Sequence, residues 1–258
     1  MAVVNVAESS ANIHYLGRRN VLIGLGMVAA TGVAGGIWWW ATPHYPLVYR
    51  GHTGGVNGVA WSPDSARLAS ASDDGTVQVC NVVNGGQLLT YKGHFLRVNG
   101  VAWSPRGTRL ASGGNDLTVQ IWNAADGGNA VSYKGHTGPI QAVAWSPDGS
   151  RLASGSTDQT VQVWNASTGE KILSYGGNAG AVAALAWSPD GMKLASAHNT
   201  VLTPANSTVQ VWDAANGQEL LRYQGHTSLI NAVAWAPNGK YISSASDDET
   251  VQIWAAVK

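Results

Sequence analysis

The sequence predicts an all-β chain in which one four-stranded unit is repeated five times, and three periodic landmarks predict it. A Tyr-x-Gly-His phrase ends at His52, His94, His136 and His226, with Asn178 in its place in the fourth copy, at spacings of 42, 42, 42 and 48 residues. A tryptophan in VAWSP or VAWAP keeps that beat at Trp61, Trp103, Trp145, Trp187 and Trp235. A third mark closes TVQVW or TVQIW at Trp122, Trp164, Trp212 and Trp254, with Cys80 standing there in the first copy. Self-similarity at a fixed period makes the chain an array of one supersecondary unit.

Each unit resolves into four short runs. In the second copy they are RVNGVAW, RLASGG, TVQIW and NAVSY, separated by Ser104-Pro105-Arg106-Gly107, by Asn115-Asp116 and by Asp126-Gly127-Gly128. β-branched residues alternating with polar ones, broken by Pro, Gly, Asn and Asp, specify strands and turns. No long helical pattern occurs between residues 50 and 258, which excludes helical solenoids and a parallel doubly wound sheet.

Composition narrows the function. The 15 basic and 15 acidic residues balance, and without a basic stripe no nucleic-acid partner is expected. One cysteine excludes an internal disulfide framework, and Cys80, at a position filled by Trp in the other copies, is expected to be a buried structural residue. No cofactor or metal is expected.

The succession GHTGPIQAVAWSPDGSRLASGSTDQTVQVWNASTGEKILSY resembles a WD40 repeat, and the likeness covers residues 46–258. The resemblance implies a β-propeller in which each blade holds a hydrogen-bonded set of His, Ser or Thr, Asp and Trp. By motif position the complete sets are His94, Ser112, Asp116 and Trp122; His136, Ser154, Asp158 and Trp164; and His226, Ser244, Asp248 and Trp254. The first set has His52, Ser70 and Asp74 but ends in Cys80, and the fourth has Asn178, Ser196 and Trp212 with Asn206 aligned to the acidic position. His, Asp and Ser are also the parts of a hydrolase triad. An active site is assembled once, whereas these residues recur at identical offsets, so they are expected to be structural and no catalytic residue is assigned.

In that family the sequence repeat is offset from the blade, so the N-terminus can supply the outermost strand of the last blade. The last repeat stops after its third strand, and residues 46–50 are expected to complete the sheet containing residues 229–254 and to close a five-bladed ring. Association of chains, or an incomplete array, is the alternative.

Ahead of the array, residues 21–41 form an uncharged, predominantly apolar stretch of 21 residues. As a helix it would reach roughly 31 Å, about the thickness of a bilayer's hydrocarbon core. Arg18 and Arg19 precede it and Trp38, Trp39 and Trp40 end it, the pattern of a single span with its N-terminus cytoplasmic. The expected organisation is a cytoplasmic segment at 1–20, a transmembrane or signal helix at 21–41, a linker at 42–45 and the propeller at 46–258. A bacterial, membrane-anchored member with an extracytoplasmic propeller is expected; export and release after signal cleavage is the alternative.

These parts point to a non-catalytic protein- or peptide-binding scaffold displayed at a membrane, touching the bilayer through residues 21–41 and able to self-associate. The alternatives are an exported propeller for a carbohydrate or small ligand, and a degenerate or partial propeller that works only by association. Variable turns on a repetitive scaffold can carry an address. Gly55, Arg97, Pro139, Ala181 and Leu229 form one such series, and Asp73, Asn115, Thr157 and Asp247 another. The fourth repeat's insertion at 198–206 adds His198, Val201 and Leu202. The expected partner-binding residues are Asp73, Arg97, Asn115, Thr157, His198, Val201, Leu202, Leu229 and Asp247.

Overall fold

Each TVQVW-type segment turns its valines to one side and its Gln and Trp to the other, as a strand with period two must. Such a segment becomes the third strand of every sheet in the computed structural model, which describes residues 47–176, 180–200 and 203–256. The first sheet is β1 (Val56–Trp61), β2 (Arg67–Ser72), β3 (Val77–Asn81) and β4 (Gln87–Tyr91). The second is β5 (Val98–Trp103), β6 (Arg109–Gly114), β7 (Val119–Asn123) and β8 (Val131–Tyr133). The third is β9 (Ile140–Trp145), β10 (Arg151–Ser156), β11 (Thr160–Asn165) and β12 (Lys171–Gly176). The fourth is β13 (Ala181–Trp187), β14 (Lys193–Asn199), β15 (Thr208–Asp213) and β16 (Glu219–Tyr223), and the fifth is β17 (Ile230–Trp235), β18 (Tyr241–Ser246) and β19 (Val251–Ala255). Neighbouring strands in every sheet run antiparallel, so each sheet is a meander in sequence order.

The core lies between sheets. Four apolar clusters each join one blade to the next, the first through Val77, Val79 and Tyr91 against Val98, Trp103, Leu110 and Trp122. Val77 and Val79 are fully buried, as are Val161 and Val163 two blades on, and each such side chain contributes about 1.5–3 kcal/mol. Polar contacts repeat with the same period. The indole N–H groups of Trp103, Trp145, Trp187 and Trp235 donate to the carbonyls of Ala60, Ala102, Ala144 and Ala186 in the preceding blade, at 3.0–3.2 Å. Arg67, Arg109 and Arg151 lie over the rings of Trp103, Trp145 and Trp187, a cation–π contact across each seam. Neighbouring inner strands approach closely, and a Cβ at Gly58 would come 3.2 Å from the carbonyl oxygen of Asn99.

Two expectations about the ends are corrected. Residues 47–50 are in no strand, and the fifth sheet has three strands among the described residues. Tyr49 instead donates to Gln78 and Gln87 of the first blade, which holds this segment there. Among the described residues no apolar cluster joins the fifth sheet to the first, so the five blades as described form an open array. The second correction concerns the N-terminal helix. Among the described residues no helix is long and apolar enough to cross a membrane, and residues 21–41 lie outside them. Five glycines between residues 24 and 36 dilute the apolar character on which the expected span rested.

Candidate protein-binding face

The repeated polar residues converge inside the blades. In the second blade His94 Nε2 lies 2.9 Å from Ser112 Oγ and Nδ1 lies 2.8 Å from Asp116 Oδ2, and Trp122 Nε1 donates to Ser112 Oγ at 3.3 Å. The third blade brings together His136, Ser154, Asp158 and Trp164, and the fifth His226, Ser244, Asp248 and Trp254, at 2.8–2.9 Å throughout. In the first blade His52 meets Ser70 and Asp74, and Cys80 offers no indole. Burial alone would raise the carboxyl pKa of Asp158, but hydrogen bonds from Thr160, Thr137 and His136 outweigh it and hold the group below the usual carboxylate range. An ionised carboxylate only accepts, so the imidazole Nδ1 carries the proton, Nε2 accepts from Ser, and Ser accepts from Trp. Ser112 and Ser154 are fully buried, so no substrate carbonyl reaches either hydroxyl despite the triad-like order.

The fourth blade solves its missing histidine differently. His198 was expected on a projecting loop; it is the sixth residue of β14 and fully buried. Its Nε2 lies 2.8 Å from Ser196 Oγ, which also accepts from Trp212 Nε1 at 2.7 Å, and its ring packs beside that of Trp212. The corrected reading makes His198 a core histidine, because it holds the sixth position of the second strand, where Ser72 and Ser156 are likewise fully buried, and the insertion begins after it. Asn206 ends a short 3-10 turn, Pro204–Asn206, while Asn178, Val201 and Leu202 lie outside the described residues.

The two variable turn series meet on one rim. Asp73, Asn115, Thr157 and Asp247 each donate a backbone N–H to the carbonyl of Gly55, Arg97, Pro139 and Leu229 respectively, at 2.8–3.0 Å. Every inner strand carries a bulge beside this rim, and a bulge re-aims the extra residue. Asn57 thereby reaches Asp73 and the carbonyl of Val98, and Asn99 reaches Asn115 and the carbonyl of Ile140. Arg97 Nε and its guanidinium nitrogen clasp Asp73 Oδ1 of the preceding blade at 2.8 and 2.5 Å.

On this rim the chain exposes two large apolar residues that sequence reasoning passed over. Phe95 is 79% exposed and Leu96 stands beside it, where other copies carry Thr53-Gly54, Thr137-Gly138 and Thr227-Ser228. The signal was present in GHFLR against GHTG. Adjacent exposed apolar side chains on one rim form the kind of patch that marks an interaction surface.

The family model described as WD domain, G-beta repeat matches residues 45–81, 85–123, 128–165, 169–213 and 217–255. Periodic tryptophan protein 2 of Arabidopsis thaliana is 44% identical over 54 residues, covering 21% of this chain and 6% of that protein. Its counterpart in Saccharomyces cerevisiae is 37% identical over 51 residues, covering 20% of this chain and 6% of the yeast protein. A chain in the crystal structure of the mitotic checkpoint complex superposes with a TM-score of 0.73 at 30% identity, covering 81% of this chain and 64% of that one. The chain thus spans only a small part of the curated relatives. Their sources, a plant, a yeast and the slime mould Dictyostelium discoideum, correct the expectation of a bacterial member. The membrane reading is corrected with it, including the bilayer contact and the single-pass topology. The described fold contains no spanning helix, and the structural likeness is to a chain of a protein assembly.

Proposed function

The chain belongs to the WD domain, G-beta repeat family, and on that premise we propose that it is a protein-binding scaffold whose contact surface is the rim carrying Phe95, Leu96 and Arg97. The chain is not an enzyme: its repeats are non-catalytic scaffold units, and its recurring Ser, His and Asp are spent on internal hydrogen bonds. One observation carries the reading, the exposed Phe95–Leu96 pair beside the Arg97–Asp73 ion pair. Aromatic residues, Phe among them, and arginine are enriched at protein interfaces. The likeness to a chain of the mitotic checkpoint complex supports a place in a protein assembly. The matching partner surface presents an apolar pocket or groove for Phe95, rimmed by acceptors for the outer N–H groups of Arg97.

Selection of a displayed peptide library on the immobilised protein tests this. Recovered ligands should lose about tenfold or more in affinity on Phe95→Ser and keep it on Ile172→Ser, an exposed residue of the outer strand β12. Ligands indifferent to both Phe95→Ser and Leu96→Ser would place the binding surface elsewhere.

A further inference from the structure

The two ends of the open array are the two halves of the seam that the chain makes four times internally. At every internal seam one blade presents two β-branched residues of its third strand, a pair of small residues of its second strand and an alanine carbonyl. The next blade presents a Val or Ile at the start of its inner strand, a Trp at the end of that strand and a Leu or Ile on its second strand. On the fifth blade the forward half is bare: Val251 is 63% and Ile253 72% exposed, where Val77, Val79, Val161 and Val163 are buried. On the first blade the backward half is bare: Val56 is 54% and Trp61 46% exposed, where Val98 and Ile140 are buried.

The polar valences match as well. Trp61 Nε1 has no acceptor among the described residues, while Trp103, Trp145, Trp187 and Trp235 each find an alanine carbonyl in the blade before. Ala234, the next carbonyl in that series, receives no such donor among the described residues. Asn57 and Asn99 reach across their seams to the carbonyls of Val98 and Ile140, whereas among the described residues Asn231 reaches only Asp247 in its own blade. The backbone edges complete the set. Among the described residues the edge of β19 is unpaired, and residues 47–50 sit beside the first blade without a strand partner. Tyr49 holds Gln78 there as Tyr91, at the end of β4, holds Gln120 of the next blade.

We propose that these end surfaces join two copies of the chain head to tail, the last blade of one stacking on the first blade of another by the same seam that stacks neighbouring blades. The fourth strand of the fifth sheet then comes from the second copy. The register follows from β15 and β16, where Val209 pairs with Tyr223 and Val211 with Leu221. By that pattern Val251 pairs with Tyr49 of the second copy and Ile253 with Leu47. Trp61 of the second copy donates to the carbonyl of Ala234, and Asn231 donates to the carbonyl of Val56. Unlike a two-fold interface, this contact uses two different surfaces and leaves one free at each end of the assembly. The occupant is a second copy because both halves of the seam, with their donors and acceptors, are present on this one chain. A bare apolar edge of this kind is otherwise an aggregation liability.

Sedimentation of the full chain from low micromolar to near-millimolar concentration tests the proposal, with Ile253→Asp blocking one end and Val56→Asp the other. Both positions are exposed, so the fold is expected to survive, and circular dichroism melts check it; Val251→Asp and Trp61→Gln serve as second versions. The wild type should grow to two or more chain masses with concentration, and each variant alone should stay at one. An equimolar mixture of the two should form a two-chain species and nothing larger, since one intact head meets one intact tail. A wild type of one chain mass throughout, a single variant that still dimerises, or a mixture that stays monomeric would each overturn it.

Discussion

Tyr49 donates to Gln78 at 2.6 Å, the distance at which Tyr91 donates to Gln120 one blade on. Beneath Tyr91 lies the stacked ring of Trp122, 4.2 Å away between centroids; beneath Tyr49 the corresponding residue is Cys80. A cavity of about 360 Å³ opens there, lined by Tyr49, Val59, Leu68, Ser70 and Cys80 among others. Cys80→Trp should fill it, stack under Tyr49 and donate to Ser70 as Trp164 donates to Ser154. A gain of about 1–2 kcal/mol is expected. Denaturant melts of variant and parent measure it, and an unchanged or lower midpoint would show that a Trp does not fit.

Asp158 accepts from His136, from the backbone N–H groups of Thr137 and Thr160 and from the Thr160 hydroxyl. Asp158→Ala leaves the His136 Nδ1 proton buried without its acceptor and should cost about 3 kcal/mol. Because the carboxyl pKa is held below its ordinary value, its contribution is present above that value and fades as pH falls through the lower, folded one. The variant should therefore lose stability at neutral pH and lose less than the wild type on acidification below pH 4, as paired thermal melts would show.

The strands were legible because each is flanked by a landmark that recurs with the same spacing, so Trp61 and its four counterparts fixed the ends of all inner strands. His198 was not, since it adjoins the insertion and departs from the Ser or Gly of the other copies: Ser72, Gly114 and Ser156 hold the equivalent buried place at the end of the second strand, and the residue type there hides that the position is the same. The bulges that carry Asn57 and Asn99 across the seams are equally silent in the pattern, being one residue inserted without changing the period. The closure expected of residues 46–50 failed for another reason. Pairing of chain ends depends on the angle at four seams added together, and no short stretch encodes that sum. Phe95 and Leu96 were in plain sight as a departure from Thr-Gly, but a departure from a repeat acquires meaning only when its exposure is known.

Arg97 and Asp73 are both substantially exposed, and hydrogen bonds from Asn57 and Arg97 keep the carboxyl pKa of Asp73 low. Solvent screening limits what such a pair contributes to folding. Arg97→Ala should change stability by less than about 1 kcal/mol, and a chemical melt would measure this. A larger loss would make the clasp a structural bridge between the first two blades and weaken its assignment to the binding rim.

His198 gives the array a pH dependence distinct from that of its carboxylates. Burial lowers its pKa from 6.5 to about 4, because a charged imidazole beside Trp212 would lose its water. Above pH 6.5 the ring is neutral in both states and contributes no slope. As pH falls from 6.5 toward about 4, the unfolded chain takes up a proton that the folded chain refuses, so stability drops across that window; below it both states are protonated and the loss is complete. His136 is lowered in the same direction, burial outweighing its bond to Asp158, so it adds to the same limb. His198→Gln keeps a polar group beside Ser196 but cannot titrate. It should melt lower than the wild type at pH 7.5, for want of the ring contact, and fall less steeply between pH 6.5 and 4, retaining only the share due to His136 and other groups. Melting temperatures at half-unit pH intervals test this, and parallel curves for the two proteins would mean that His198 takes up its proton without unfolding.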